Sequence, residues 1–124
     1  MIVMGANDET LEFKLDFGKG LIPVSLVEYS SGEYLFTAFT NEAAFKKTLE
    51  TNRVYLWSRE RGFWYKGESS GDYLRIEEMR INCNQDQLAY YVTLLGNAAC
   101  HTKRKTCYYR RLMQENGEIG LENV

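Results

Sequence analysis

The chain is 124 residues long with a formal net charge of −2. That length supports one domain with its own core, and that balance argues against nucleic acid or an anionic membrane as partner. Its three cysteines cannot all pair within the chain, and polar residues follow Met1–Met4 at once, so the reading is a reduced, cytoplasmic protein without a signal peptide or a spanning helix.

Residues 1–10 read as a flexible lead-in. Leu11–Phe17 alternates apolar and polar residues strictly, the period-two pattern of a half-buried strand. Gly18-Lys19-Gly20 turns the chain. Val24–Tyr29 and Tyr34–Phe39, joined by Ser30–Glu33, predict a β-hairpin. A helix begins after Asn41, whose side chain suits an N-cap, with Glu42 at the positive end of the dipole. Ala44, Phe45, Thr48 and Leu49 fall on one helical face, and Asn52 marks the stop. Val54–Trp57 and Phe63–Tyr65 return to β around a tight Ser58–Gly62 connection. Lys66–Asp72 is a polar loop, too hydrophilic for a core. Tyr73–Ile81 and Gln87–Leu95 are strands with the Asn82–Asp86 turn between them. Tyr108–Met113 is a final short strand, and 114–124 is a weakly apolar tail. The sum is one α+β domain over 1–124, a mostly antiparallel sheet with one main helix. So much sheet and so little helix leaves a sheet face uncovered in a monomer, which predicts dimerisation.

The reactive side chains gather between Asn82 and Cys107. Cys83, Cys100 and Cys107 form a C-x16-C-x6-C pattern that encloses the only histidine, His101. Three thiolates are soft ligands that favour zinc and leave a fourth position open, as catalytic ions are held. The competing reading is three small buried side chains. Cys100 and His101 are neighbours and would struggle to face one ion, so His101 is either a proton-transfer group beside metal-activated water or an ordinary surface residue. In Lys66–Gly71 the glycines, hydroxyls and ammonium suit phosphate oxygens, although a plain surface loop has the same composition. Arg59 and Arg61 can grip phosphate bidentately or stand in solvent. Asn82, Asn84 and Asp86 carry one formal charge among them, thin provision for a hard cation such as magnesium.

Five motifs in order carry a resemblance. They are Asn41-Glu42-Ala43-Ala44, Trp57-Ser58-Arg59-Glu60-Arg61, Trp64-Tyr65-Lys66-Gly67-Glu68-Ser69-Ser70-Gly71, Asn82-Cys83-Asn84-Gln85-Asp86 and Ala99-Cys100-His101-Thr102. Through them the chain, from about Leu21 to Tyr109, resembles phosphoribosyl-AMP cyclohydrolase, a zinc enzyme of histidine biosynthesis. The resemblance implies an intertwined homodimer with zinc at the interface, held by Cys83 of one subunit and by Cys100 and Cys107 of the other. It implies hydrolytic opening of the N1–C6 bond of an N1-substituted adenine nucleotide, with His101, Glu68 and Lys66 as catalytic groups. Around the nucleotide it implies Trp57, Ser58, Arg59, Arg61, Lys66, Glu68, Ser69, Ser70, Gly71 and Thr102.

Departures from the family pattern are specific. Asp-Cys-Asp-x-Asp reads Asn-Cys-Asn-x-Asp here, so two of the three carboxylates expected to hold magnesium, at Asn82 and Asn84, are amides and only Asp86 remains. Lys103 replaces a glycine and Glu60 a serine. These changes leave two alternatives beside the cyclohydrolase: a paralogue that hydrolyses or deaminates another nitrogen heterocycle, and a non-catalytic, zinc-stabilised nucleotide-binding dimer.

Overall fold

The sheet grows outward from β1 (Ile22–Glu28), in which every second side chain at the start, Ile22, Val24 and Leu26, is buried. In this computed structural model, which describes residues 9–124, β1 has neighbours on both sides. On one side β2 (Tyr34–Thr40) pairs antiparallel, closing the predicted hairpin. The turn is tied by Gly32 N–H to the Glu28 carbonyl at 2.8 Å, with Gly32 at φ 77°, a conformation that suits glycine. On the other side β6 (Leu88–Leu94) runs parallel to β1, placing Val24 opposite Leu88. β3 (Tyr55–Ser58) and β4 (Gly62–Tyr65) extend the sheet beyond β2, and β5 (Leu74–Ile81) closes it beyond β6. The order is β4-β3-β2-β1-β6-β5, antiparallel everywhere except the β1–β6 pair. The α+β expectation holds.

Helix α1 (Glu42–Thr51) begins and ends where its caps dictate. The Asn41 side chain accepts the Ala44 N–H at 3.0 Å, and Asn52 takes the left-handed conformation (φ 57°) with its N–H donating to the Thr48 carbonyl. Ala44, Phe45 and Thr48 are buried; the expected fourth member of that face, Leu49, is 52% exposed. Thr48 replaces it as the anchor. Its hydroxyl accepts the Tyr55 N–H at 2.9 Å, joining helix to β3. The core beneath the helix includes fully buried Tyr90, Leu26, Leu35, Leu56 and Leu74. Burying a large aliphatic side chain of this kind contributes about 1.5–3 kcal/mol.

Two expectations are corrected. Leu11–Phe17 forms no strand: it runs as coil into a 3-10 turn over Phe17–Lys19, capped by Asp16, which accepts the Gly18 N–H at 2.8 Å. Phe13 and Phe17 instead pack on Phe45, with ring centroids at 5.7 and 5.4 Å. Of the flexible lead-in, residues 1–8 lie outside the described residues. At the other end, 114–124 is not a tail. It supplies half of a second hairpin, β7 (Arg110–Glu115) with β8 (Glu118–Asn123). Asn116 (φ 52°) and Gly117 (φ 81°) make the tight turn that an Asn-Gly pair favours. Every residue of β7 and β8 is exposed, and Leu112, Leu121 and Ile119 share one face by register. An isolated two-stranded hairpin is at best marginally stable in water, so this face is unfinished within one chain.

Candidate active site

A cavity of about 610 Å³ opens where β2, β3 and β4 meet two loops, Lys66–Gly71 and Ala98–Cys107. Its size is that of a small-ligand site. The sheet gives it an aromatic wall from Phe36, Phe39, Trp57 and Trp64; the loops give it Lys66, Glu68, His101 and Lys103.

The second loop is built to hold its thiols still. The Ala99 N–H donates to the Lys105 carbonyl and the Cys100 N–H to the Arg104 carbonyl, both at 3.1 Å. Thr106 then anchors the loop to β2, its hydroxyl donating to the carbonyls of Tyr34 (2.7 Å) and Leu35 (3.1 Å). Lys105 bridges Glu28 (2.7 Å) and Glu33 (3.1 Å). Cys100 is buried in this frame, and Cys107 lines the same cavity wall.

The two thiols titrate apart. Burial pushes the Cys100 thiol up, but donation from Thr102 (Oγ1 to Sγ 3.0 Å) and Cys107 outweighs it and holds the thiol below the usual range. Cys107 is pushed up to about 11 by desolvation of its sulfur and by Cys100, although the residue as a whole is exposed. Two soft sulfurs on one cavity wall suit a thiophilic ion such as zinc. Cys83 is not with them. It is exposed within the β5–β6 turn, and among the described residues no three His, Cys, Asp or Glu side chains of one chain converge to hold a metal. The pair fits two of the three expected sulfur ligands, and Cys83 of the same chain does not join them.

Lys66–Asp72 corrects the reading of a loop too hydrophilic for a core. Lys66 and Asp72 are both only 9% exposed. The Lys66 N–H donates to the Val54 carbonyl, and Gly67 (φ 100°) has its backbone against Tyr73 and Asp72, where a Cβ would lie 2.7–2.8 Å from main-chain atoms. Burial holds the Lys66 ammonium below the usual lysine range, with Asp72, Cys107 and Cys100 pulling it back up. Polar composition concealed this burial because glycines, not apolar residues, make it possible.

The other expected residues divide. Trp57, Ser58, Arg61, Glu68, Ser69 and Ser70 line the cavity, and Arg61 lies over the Trp64 ring at 4.2 Å, its N–H donating to Ser58 Oγ. Arg59, Gly71 and Thr102 do not line it: Arg59 sits in the exposed β3–β4 turn, Gly71 closes its loop by donating to the Gly67 carbonyl, and Thr102 acts on the Cys100 sulfur. Trp64, Phe36 and Phe39 went unread. Trp64 stands directly opposite Leu56 and Phe39 opposite Trp57, a cross-strand adjacency visible only once register is known.

The Cys83 turn is closed by Asn82. Its side-chain oxygen accepts the N–H groups of Asp86 (2.9 Å) and Gln87 (2.8 Å), while its amide nitrogen donates to the Asp86 carboxylate at 2.6 Å. Asp86 and Asn84, with Gln85, line a second hollow of about 460 Å³ whose other wall is the Lys14–Ile22 segment.

Comparison with known sequences settles the family. The phosphoribosyl-AMP cyclohydrolase family model matches residues 36–109, from β2 to just past Cys107. The chain belongs to the phosphoribosyl-AMP cyclohydrolase family. A phosphoribosyl-AMP cyclohydrolase of Desulfotalea psychrophila is 41% identical over 113 residues, 88% of this chain and 87% of that protein. One from Bacillus cereus is 42% identical over 101 residues, 81% of this chain and 99% of its own length. A histidine biosynthesis bifunctional protein of Lactococcus lactis is 46% identical over 100 residues, 79% of this chain but 47% of that longer protein. Phosphoribosyl-AMP cyclohydrolases are hydrolases that act on C–N bonds of a cyclic amidine. The matched segment contains the whole cavity, both loops and all three cysteines, whereas β7 and β8 lie beyond it.

Proposed function

We propose that this chain is a zinc-dependent cyclohydrolase of the cytoplasm that opens the N1–C6 bond of phosphoribosyl-AMP or a close purine-nucleotide analogue. The observation that carries the reading is the Cys100–Cys107 thiol pair on the wall of a cavity otherwise lined by aromatic rings and cationic side chains. Zinc would be held by Cys100 and Cys107 of one subunit and by the partner subunit's Cys83. When bound, the ion supplies Lewis acidity that brings the ionisation of water toward neutral pH.

This chain's own residues do the rest. The aromatic wall of Trp57 and Trp64 packs on the purine, and Arg61, held by its stack on Trp64, faces phosphate together with Lys66 and Lys103. Ser58, Ser69 and Ser70 donate to nucleotide oxygens. Glu68 accepts from the attacking water and orients it toward C6. His101 takes one proton from the water as its oxygen bonds to C6 and returns it to N1 as the N1–C6 bond breaks; the water's second proton passes to the exocyclic nitrogen on C6, which ends as the NH2 of a carboxamide.

A homodimer follows from the chemistry, since two thiols are short of the expected set, and it would also give the exposed Leu112–Ile119–Leu121 face a surface to pack on. The reduced thiols fit a cytoplasmic setting, and among the described residues no helix is long and apolar enough to cross a membrane. The test is turnover of phosphoribosyl-AMP by the zinc-loaded protein, read by the loss of the adenine ring absorbance. Turnover abolished by a chelator and restored by zinc supports the reading. Absence of turnover with zinc bound, together with hydrolysis of another nitrogen heterocycle, would replace it with the paralogue.

A further inference from the structure

The two loops that line the cavity are far apart in sequence, yet one buried carboxylate touches both. We propose that Asp72 is a positioning residue that fastens the Lys66–Gly71 loop to the Gly96–Lys103 segment and orients Lys103, which faces the cavity. The inference rests on the cyclohydrolase reading for what Lys103 acts on, and on geometry for the rest.

Asp72 follows directly on the first loop, and its N–H donates to Ser70 Oγ at 3.2 Å. Its Oδ1 accepts the Asn97 N–H of the second segment at 3.1 Å, and its Oδ2 faces Lys103 Nζ at 3.8 Å. The approach is possible because neither flank carries a side chain. A Cβ on Gly96 would lie 2.2 Å from Asp72 Oδ1 and 2.8 Å from its Cα, and a Cβ on Gly67 would meet the Asp72 main chain at 2.8 Å. Two glycines from two loops therefore close on one residue.

Lys103 shows what that contact sustains. It has φ 72°, the left-handed region that a lysine rarely adopts, and its N–H donates to the Cys100 carbonyl at 3.0 Å. A non-glycine residue stays there only where its surroundings hold it, and Asp72 supplies the partner for its ammonium. Lys66, on the other loop, is buried and leads into the Gly67 turn that closes on Asp72. The carboxylate is itself absent from the cavity lining, while Lys103 is part of it. A negative charge behind a cation does not bind an anionic nucleotide. It fixes where Lys103 stands.

That distinction gives a readout that a merely structural role does not move. In Asp72→Asn the side-chain oxygen still accepts from Asn97, but the charge is gone. With phosphoribosyl-AMP as substrate we expect kcat/KM to fall by about ten- to a hundredfold, with KM raised, because a Lys103 without its partner no longer stands at the phosphate, whereas removing a negative charge through electrostatics alone would lower KM. A KM at or below the wild-type value overturns the proposal. Hydrogen exchange on Asp72→Ala is read in parallel and needs no substrate. Amides of 66–71 and of 96–103 should exchange faster together; protection retained in either loop overturns the coupling. If the wild-type protein fails to turn over phosphoribosyl-AMP, the functional reading fails, and the exchange result still decides whether Asp72 joins the loops.

Discussion

The backbone N–H of Cys107 donates to the carbonyl of Leu35 at 2.8 Å, so the last thiol of the set is fixed to a fully buried residue in β2. The loop that carries Cys100 and Cys107 is thereby fastened to β2.

Thr106 makes that attachment twice over, donating to Tyr34 and Leu35 and accepting the Tyr108 N–H at 3.0 Å. Thr106→Val keeps the shape and removes the hydroxyl. It should destabilise the fold by about 1–3 kcal/mol and weaken zinc retention, measured by urea unfolding and by competition with a chromogenic chelator. Unchanged values in both would mean that the loop is held by other contacts.

Glu28 and Lys105 set a pH window for the same loop. Glu28 is held below its ordinary value of 4.5, first by Lys105 and then by Ser31, and Lys105 is held above its ordinary 10.5 by Glu28 and Glu33. A depressed carboxylate stabilises above its unfolded value and loses that as pH falls through the folded one. A raised lysine stabilises below its unfolded value and loses that as pH rises through the folded one. The Tm difference between wild type and Glu28→Gln should therefore be flat from about pH 5 to 9 and shrink below about pH 4. A difference that grows in acid contradicts the pair.

His101 is exposed at the cavity rim beside Cys100. His101→Ala should lower kcat by about 10²- to 10⁴-fold while zinc content stays at the wild-type level by elemental analysis. Wild-type turnover would remove it from proton transfer, and lost zinc would make it a ligand.

The Asn82 amide donates to Asp86 at 2.6 Å, a contact two carboxylates could share only around a cation or a proton. Asn82→Asp with Asn84→Asp should create magnesium binding seen by titration calorimetry, with no heat from the wild-type protein. Equal responses would mean that these positions do not face a cation.

Local signals in the sequence were legible where structure is local. Asn41 and Asn52 marked both ends of α1, and the Ser30–Glu33 turn marked the β1–β2 hairpin. Leu11–Phe17 alternated convincingly but had no strand to pair with, and its aromatic rings gained more by packing on Phe45. The β7–β8 hairpin carried its own signal, Asn116-Gly117, hidden among weakly apolar neighbours. The parallel β1–β6 pairing and the burial of Asp72 had no local signal, because both depend on segments meeting across the sheet. For the site, residue types indicated the thiols and the lysine loop. That Cys83 stands apart from Cys100 and Cys107 within one chain was implied by the family resemblance and not by the residue types or their spacing.

That separation is the point to test. Mixing Cys83→Ser and Cys107→Ser proteins, each inactive alone, and letting subunits exchange should restore about a quarter of wild-type phosphoribosyl-AMP turnover. Half of the dimers would then be hybrids with one intact site in two. A mixture as inactive as its components, although hybrid dimers are present by mass spectrometry, would contradict a centre shared between two subunits.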